Sequence, residues 1–457
     1  MRLLFVAGLT ALSFALTFAA ACGRSESAPA PAVDASGDAG GTNDDSAGEE
    51  PDRDGVDGPT EPPPFADAGA PTLIPTKIRY VLVVVKENHT FDNYFTGFPG
   101  ATSSAKAERS DGGTFKRPDA PDTRLAGDIC HSNNCGKRAY AKGKLNGFDK
   151  NNAGDRPFVR YREDQIPNYW QYARNFVLAD HMFSTTLGPS LPGHAVFWAG
   201  RSLSVENVKC TLPDGGECKD GLGCKSHPAS TVLTYDPLTC ARSEVRPCFD
   251  VPVLTDHLPA GFTWTNYGSP HALLVKSVAD QPDYAKHFRK LGELVPDVEG
   301  GRLANLTIVH VLGSASEHPE QHPCNGENLS VEIVNAAMKL PQWKEMAIVI
   351  TWDDWGGFYD SVAPPVTSCP NDEHFQAGFR VPAIVISPYA KKGFVLKTPT
   401  NQASVPRLVE ELWGMPFMSE RDPRAIDGKV GSLMEAFDFA QPPRDPLLLT
   451  PRATCPK

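Results

Sequence analysis

The sequence predicts a three-layer α/β fold with a mostly parallel central sheet, similar in class to an α/β sandwich. Short runs rich in Val and Ile recur along the chain without polar alternation, which is typical of strands buried on both faces. Stretches with a helical period separate these runs, and strands that alternate with helices build a helix-covered parallel sheet. Apolar residues make up 40% of the 457-residue chain and charged residues 22%, which are globular values.

The first 22 residues indicate export. Met1 and Arg2 precede an apolar run at 3–21, and small residues lead to Cys22. A short positive start, an apolar stretch and a small-residue end are typical of a secretory signal. The end of the run resembles a bacterial lipobox, so we expect lipidation of Cys22 and a cell-envelope lipoprotein at the outer membrane, the surface or the periplasmic face. The alternative is an ordinary cleaved signal and a secreted protein.

Residues 23–73 form an acidic linker rich in Ala, Gly, Pro, Ser and Asp. Such a segment buries too little apolar surface to fold, so we expect a disordered spacer before a domain at 74–457. From 23 to 75 there are twelve acidic residues and two arginines, which is 2 − 12 = −10 of the chain's net −11. The charge therefore says little about the substrate. No basic tract occurs, so nucleic acid is not an expected partner.

The cysteines also favour an exported protein. Ten of the eleven remain after Cys22, and five crowd into a Gly/Asp-rich stretch within 202–250 that looks like a loop-rich insertion. We expect disulfides rather than a zinc site, because no C-x-x-C pair occurs. Five is odd, so at least one of these cysteines pairs outside the insertion or stays free.

Each strand has its own signal. Apolar runs predict buried strands at 78–86, 306–312, 346–351 and 381–387, and a shorter or edge strand at 262–267. The spacing of apolar residues predicts a helix over 328–340.

Three of the predicted strands end at polar residues. Glu87 and Asn88 follow the first strand, His318 lies in the loop after the second, and Asp353 and Asp354 follow the third. Active sites in open α/β sheets lie beyond the carboxyl ends of the strands, so we expect these residues to converge.

Carboxylate and amide oxygens suit a hard divalent cation, and Glu87, Asn88, Asp353 and Asp354 offer such a set. Helix capping is the alternative for Asn88. It explains adjacent Asp353 and Asp354 less well, because neighbouring carboxylates repel. The residues leave Ca, Mg, Mn and Zn open.

Two further segments carry polar groups. Ser190 sits between Pro189 and Pro192, where a metal-activated hydroxyl could be a nucleophile. The spacing alone favours the alternative, a surface turn or a helix-capping serine. His318 and His322 lie four apart, but the prolines at 319 and 323 oppose a helical zinc pair, so we expect one functional histidine.

Several motifs together resemble the bacterial phosphoesterase family that holds phosphatidylcholine-type phospholipases C and a group of acid phosphatases. They occur in the family's order across roughly residues 77–440: KENHTFDNYF at 86–95, GKLNGF at 143–148, LGPSLP at 187–192, EHP at 317–319 with GE at 326–327, WDDWGGFYD at 352–360, and RVP at 380–382 leading to SPY at 387–389.

The resemblance implies an alkaline-phosphatase-like fold and metal-dependent hydrolysis of phosphate esters, with a phospholipid head group among the substrates. It implies a metal bound by Glu87, Asn88, Ser190, Asp353 and Asp354. Ser190 would be the nucleophile that forms a phosphoserine intermediate, and His318 would contact the phosphoryl group or protonate the leaving group. His131 is a second candidate phosphate contact.

The chain departs from the family pattern at three places, which concern substrate recognition. Many relatives have Asn where Gly193 stands and His where Ser361 stands, and 401–405 lacks a His that relatives often have. A phospholipase C and a phosphomonoesterase therefore both stay open. Five tryptophans could bind choline, although core packing is the expected role for each: Trp170, Trp198, Trp264, Trp352 and Trp355.

Two other functions fit less well. A non-catalytic surface lipoprotein on the same scaffold would need a damaged ligand set, whereas Ser190 and the acidic residues are intact. A sulfatase-like enzyme would need C/S-x-P-x-R, and the segment that starts at Ser190 has the proline but lacks the arginine.

Overall fold

The structure is a computed structural model that describes residues 76–456 apart from 152, 211, 213–215, 217–220, 367–368 and 370–376. The expected signal, Cys22 and the acidic linker lie outside the described residues. Within the described ranges, no helix is long and apolar enough to span a membrane.

Fourteen strands lie in the described part of the chain. They are β1 Tyr80–Lys86, β2 Lys106–Glu108, β3 Thr114–Lys116, β4 Val177–Ala179, β5 Met182–Phe183, β6 Val232–Tyr235, β7 Arg242–Val245, β8 Trp264–Gly268, β9 Phe288–Arg289, β10 Leu306–His310, β11 Met346–Trp352, β12 Ala383–Ile386, β13 Phe394–Leu396 and β14 Thr400–Asn401.

Eight α-helices accompany them in the same described ranges. They are α1 Phe91–Phe95, α2 Asn133–Tyr140, α3 Pro167–Asn175, α4 Ser190–Ala199, α5 Lys276–Ala279, α6 Leu294–Glu299, α7 Pro323–Lys339 and α8 Ser404–Trp413.

The central sheet has eight strands in the order β13-β4-β12-β11-β1-β10-β8-β9. Strand β12 runs antiparallel to both of its neighbours, and the other pairs are parallel. Strands β10 and β11 are buried along their whole length, as is β1 after Tyr80. Successive residues point to opposite faces, so layers cover both sides of the sheet. The predicted three-layer α/β class with a mostly parallel sheet is confirmed.

The strand predictions differ from the structure in two details. The segment predicted at 262–267 as a shorter or edge strand is β8, which is shorter than β1 and β11. It is not at the edge, because the two-residue β9 pairs beyond it. The three-residue strands β4 and β13 were not predicted, since so short a run carries no period that marks a strand. Helix α7 begins at Pro323, five residues before the predicted start, because proline is favourable in the first turn of a helix.

Four disulfides that join described residues confirm the prediction that cysteines pair. They join Cys130 to Cys135, Cys224 to Cys248, Cys240 to Cys369 and Cys324 to Cys455. The bond from Cys240 leaves the cysteine-rich segment, as its odd number of cysteines allowed. The bond from Cys324 ties the C-terminal residues to α7, where Asn328 and Arg452 also exchange hydrogen bonds of 2.9 and 2.7 Å.

We expect the double substitution Cys324→Ala/Cys455→Ala to lower the free energy of unfolding by about 2–4 kcal/mol, because the bond constrains the unfolded chain. Guanidinium titration of the variant and the unsubstituted protein without reductant measures this. Coincident unfolding curves would contradict the expected role of the bond.

Candidate active site

The register of the sheet brings the polar segments together. Lys86 of β1 pairs with Trp352 of β11, so Glu87 and Asp353 leave the sheet side by side. On the other side of β1, Val85 pairs with His310 of β10, whose following loop carries His318. The predicted convergence at the carboxyl ends of the strands is therefore present in the structure.

Asn88 links the two aspartates to the serine. Its backbone N–H donates to Asp353 Oδ1 over 2.9 Å, and its side-chain amide donates to Asp354 Oδ1 over 2.8 Å. The same amide lies 3.4 Å from Ser190 Oγ, which donates to Asp354 Oδ2 over 3.2 Å. Ser190 is the first residue of α4. Thus Asn88, Ser190, Asp353 and Asp354 share one cluster, and Glu87 borders it.

The backbone around this cluster is closely packed and strained. Asn88 has φ 68°, a left-handed conformation that asparagine tolerates better than most residues. A Cβ at Gly356 would overlap the Asn88 carbonyl, and a Cβ at Gly193 would overlap the Asp353 carbonyl. Gly193 therefore lets α4 approach the end of β11, which brings Ser190 to the aspartates.

The surroundings of Asp353 and Asp354 disfavour the ionised form of both side chains. Both are buried, and burial raises the pKa of Asp353 and of Asp354. The negative charge of Asp354 raises the pKa of Asp353 further, whereas His131 acts in the opposite direction on Asp354. A bound cation would offset this repulsion.

The residues present fit a divalent metal. Asn88 Oδ1 and Asp353 Oδ2 are buried and accept no hydrogen bond from the described residues. Glu87, His194 and Asp353 form one group in which a possible ligand atom of each residue lies within 4.8 Å of the others. Unsatisfied oxygens beside carboxylates form the donor set of a hard cation.

Two histidines lie beside the cluster. The ring centroids of His131 and His318 are 5.4 Å apart with an interplanar angle of 69°, and Asp128 lies near both. Burial alone lowers the pKa of His131, but Asp354 and Asp128 outweigh it and raise that pKa. A raised pKa favours the positively charged form of His131, and His131 stays a candidate phosphate contact.

A buried ion pair holds the backbone beside His318. Lys86 Nζ lies 3.1 Å from a Glu317 carboxylate oxygen, and both side chains are fully buried. Glu317 has φ 74° and also accepts hydrogen bonds from Tyr94 and Trp352. Burial raises the pKa of Glu317 and lowers that of Lys86, so each charge depends on its partner.

Sequence reasoning missed Glu317, Lys86 and His194. His194 Nε2 lies 3.3 Å from Asp353 Oδ2 and 3.7 Å from Glu87 Oε1. Its position four residues after Ser190 would have placed both on one face of a helix, had a helix been predicted there. The five tryptophans considered for choline binding are all buried, which agrees with core packing.

The fold and the site define an α/β protein with an acidic, oxygen-rich centre and a serine at the start of a helix. The chain belongs to the Phosphoesterase family, whose model matches residues 78–416. The sequence resemblance to this family is therefore confirmed.

Relatives agree with this membership. Non-specific phospholipase C1 of Arabidopsis thaliana is 25% identical over 83% of this chain and 74% of its own length. Non-specific phospholipase C6 of the same plant is 26% identical over 57% of this chain, and the match spans 50% of that relative. A solved alkaline phosphatase superfamily protein from Vibrio parahaemolyticus is 10% identical, with a TM-score of 0.32 over 76% of this chain and 68% of its own.

We expect Lys86→Met to lower the free energy of unfolding by about 3–5 kcal/mol, because Glu317 then lies buried without its partner. Adding Glu317→Gln to Lys86→Met should restore part of that loss, since the unpaired charge disappears. Urea titrations of both single variants and the double variant measure the coupling. Additive losses would show that the two side chains do not stabilise each other.

Proposed function

We propose that the protein hydrolyses phosphodiesters in a metal-dependent, phospholipase C-type reaction, with Ser190 as the nucleophile. The observation that carries this proposal is the contact of the Ser190 hydroxyl with Asn88 and Asp354 at the carboxyl edge of the sheet. The names of the relatives support a phospholipid substrate.

Glu87, Asn88, Ser190, Asp353 and Asp354 would hold the ion. A divalent cation there supplies positive charge for the phosphoryl oxygens and lowers the pKa of the serine hydroxyl. Asn88 orients Ser190 and Asp354 through its side-chain amide, and Asp354 accepts the hydroxyl hydrogen of Ser190. The positive end of the α4 dipole at Ser190 favours the anionic substrate further.

In the first step Asp354 takes the proton of the Ser190 hydroxyl, Ser190 Oγ attacks phosphorus, and the bond to the leaving alcohol breaks. The alcohol oxygen takes a proton from His318, and the remaining phosphate ester stays on Ser190. In the second step His318 accepts a proton from water, whose oxygen attacks phosphorus. The bond to Ser190 breaks, and Ser190 Oγ regains its proton from Asp354. General acid–base catalysis by a histidine suits neutral pH.

We expect Ser190→Ala to lower turnover of p-nitrophenyl phosphorylcholine at least about a thousandfold, equal to ~4 kcal/mol of barrier. Ser190→Thr is the matched control, because it keeps a hydroxyl at the same place. The assay measures release of p-nitrophenol from the choline diester and from p-nitrophenyl phosphate, each with and without a chelator. Cleavage of p-nitrophenyl phosphate alone would indicate an acid phosphatase. Full activity of Ser190→Ala would remove the proposed nucleophile.

Metal binding should stabilise the fold, since it relieves repulsion between Asp353 and Asp354. At 100 times its dissociation constant, Mn²⁺ should raise the free energy of unfolding by about 2.7 kcal/mol. Asp354→Asn should lose most of this gain, whereas Asp445→Asn, at an exposed position, should keep it. Thermal unfolding with and without Mn²⁺ tests this, and an equal gain in both variants would place the ion elsewhere.

We further infer that the protein is exported and anchored through Cys22. The four disulfides support an oxidising compartment, in which such bonds persist. Labelling of growing cells with a radioactive fatty acid tests the anchor. Label in the unsubstituted protein but not in Cys22→Ala is expected, and unlabelled protein in the medium would indicate secretion.

A further inference from the structure

Three buried histidines pack together behind the carboxylate of Asp353. The rings of His194 and His271 stack at 4.1 Å, and the ring of His310 lies 4.8 Å and 4.6 Å from theirs. Their nitrogens lie within 4.8 Å of one another, and His194 also groups with Glu87 and Asp353. By distance alone, both groups resemble sites for a nitrogen-ligated metal such as zinc.

The position of Trp198 fixes the tautomer of His310. An indole N–H can only donate a hydrogen bond, and Trp198 Nε1 donates to His310 Nε2 over 3.0 Å. That nitrogen therefore carries no proton. Burial lowers the pKa of His310 well below its usual value, so the ring is neutral. The single ring proton of His310 lies on Nδ1.

The tautomer of His194 follows from that of His310. His310 Nδ1 lies 2.9 Å from His194 Nδ1, and only one of these nitrogens can carry the shared proton. Since His310 holds it, His194 Nδ1 is the acceptor, and the proton of His194 lies on Nε2. This N–H faces Asp353 Oδ2 at 3.3 Å and Glu87 Oε1 at 3.7 Å.

Asp353 Oδ2, the oxygen that faces His194, has no other hydrogen-bond donor among the described residues. Asp353 Oδ1 already accepts from the backbone N–H groups of Asn88 and Asp354, over 2.9 and 2.7 Å. Asp353 Oδ2 is buried and accepts no hydrogen bond of standard geometry. A small rotation of the carboxylate or the imidazole would complete the bond from His194.

We propose that Trp198, His310 and His194 form a one-way chain of N–H donors that ends on Asp353, and that His194 is a positioning residue for this carboxylate. The chain leaves neither nitrogen of His194 free for a metal. An ion at Asp353 therefore takes no nitrogen ligand from His194 or His310, and the carboxylate and amide oxygens around it favour a hard cation of the Mg²⁺, Ca²⁺ or Mn²⁺ class. The inference rests on the proposed function, in which Asp353 binds the ion.

Helix α4 carries both the residue that faces Asp353 and the proposed nucleophile. Ser190 and His194 lie one helical turn apart on α4, so one helix sets the place of both. Groups that hydrogen-bond a metal-binding carboxylate orient it, and losing one typically lowers metal affinity about 10–100-fold.

The tautomers can be measured on the metal-free full chain. Long-range ¹H–¹⁵N spectra of ¹⁵N-histidine-labelled protein distinguish the two neutral tautomers, and His194→Asn and His310→Asn assign the signals. We expect His194 protonated on Nε2 and His310 protonated on Nδ1. The opposite tautomer at either ring would overturn the proposal, whether or not the protein binds a metal.

A matched pair of variants tests the donor role. The amide of His194→Gln can place an N–H where Nε2 stood, whereas the shorter side chain of His194→Asn cannot reach Asp353. We expect Mn²⁺ affinity within about threefold of the unsubstituted protein for Gln, and about 10–100-fold weaker binding for Asn. Equal losses in both variants would overturn the donor role.

Electron paramagnetic resonance of the Mn²⁺-loaded protein gives a third readout. In the unsubstituted protein we expect no coupling between Mn²⁺ and a nitrogen that is lost in His194→Gln. Such a coupling would show that His194 is a metal ligand. If the unsubstituted protein binds no Mn²⁺, Ca²⁺ or Mg²⁺, the metal-dependent function fails, while the tautomer measurement still decides the donor chain.

Discussion

The repulsion between two buried neighbouring carboxylates is the constraint on which the rest of the site depends. Asp353 and Asp354 leave a strand that is buried along its whole length, and burial disfavours their charges. The surrounding residues donate hydrogen bonds to these two carboxylates. Asn88 provides a backbone and a side-chain N–H, Ser190 provides a hydroxyl, and two oxygens stay unsatisfied. The oxygens of this site thus suit a bound divalent cation.

The sheet supplies the precision that such a site requires. Parallel register places the residues after β1 and β11 side by side, and the close approach at Gly193 and Gly356 seats the Ser190 helix and the Asn88 backbone against the aspartates. The buried pair of Lys86 and Glu317 fixes the loop after β10 from the opposite side. Asn88, Asp353 and Asp354 therefore lie within two residues of a strand end, and Ser190 begins a helix.

Much of this arrangement could be predicted from the sequence, because long apolar runs mark the strands and parallel strands share one carboxyl edge. The positions of Asn88, Asp353 and Asp354 followed from that rule. Residues that act through three-dimensional packing could not be predicted. The pairing of Lys86 with Glu317 joins residues 231 positions apart (317 − 86), and His194 lay in a segment read as a turn. The antiparallel β12 also leaves no mark in its composition.

The central claim is that Ser190 forms a covalent intermediate with the phosphoryl group, and trapping that intermediate tests it most directly. Protein mixed with p-nitrophenyl phosphorylcholine is quenched in acid within one turnover, and its peptides are mapped by mass spectrometry. We expect a phosphorylcholine group on Ser190 that appears and decays at rates matching turnover. Turnover without any adduct, together with inversion of configuration at a chiral phosphorus, would show direct attack by water and contradict the account.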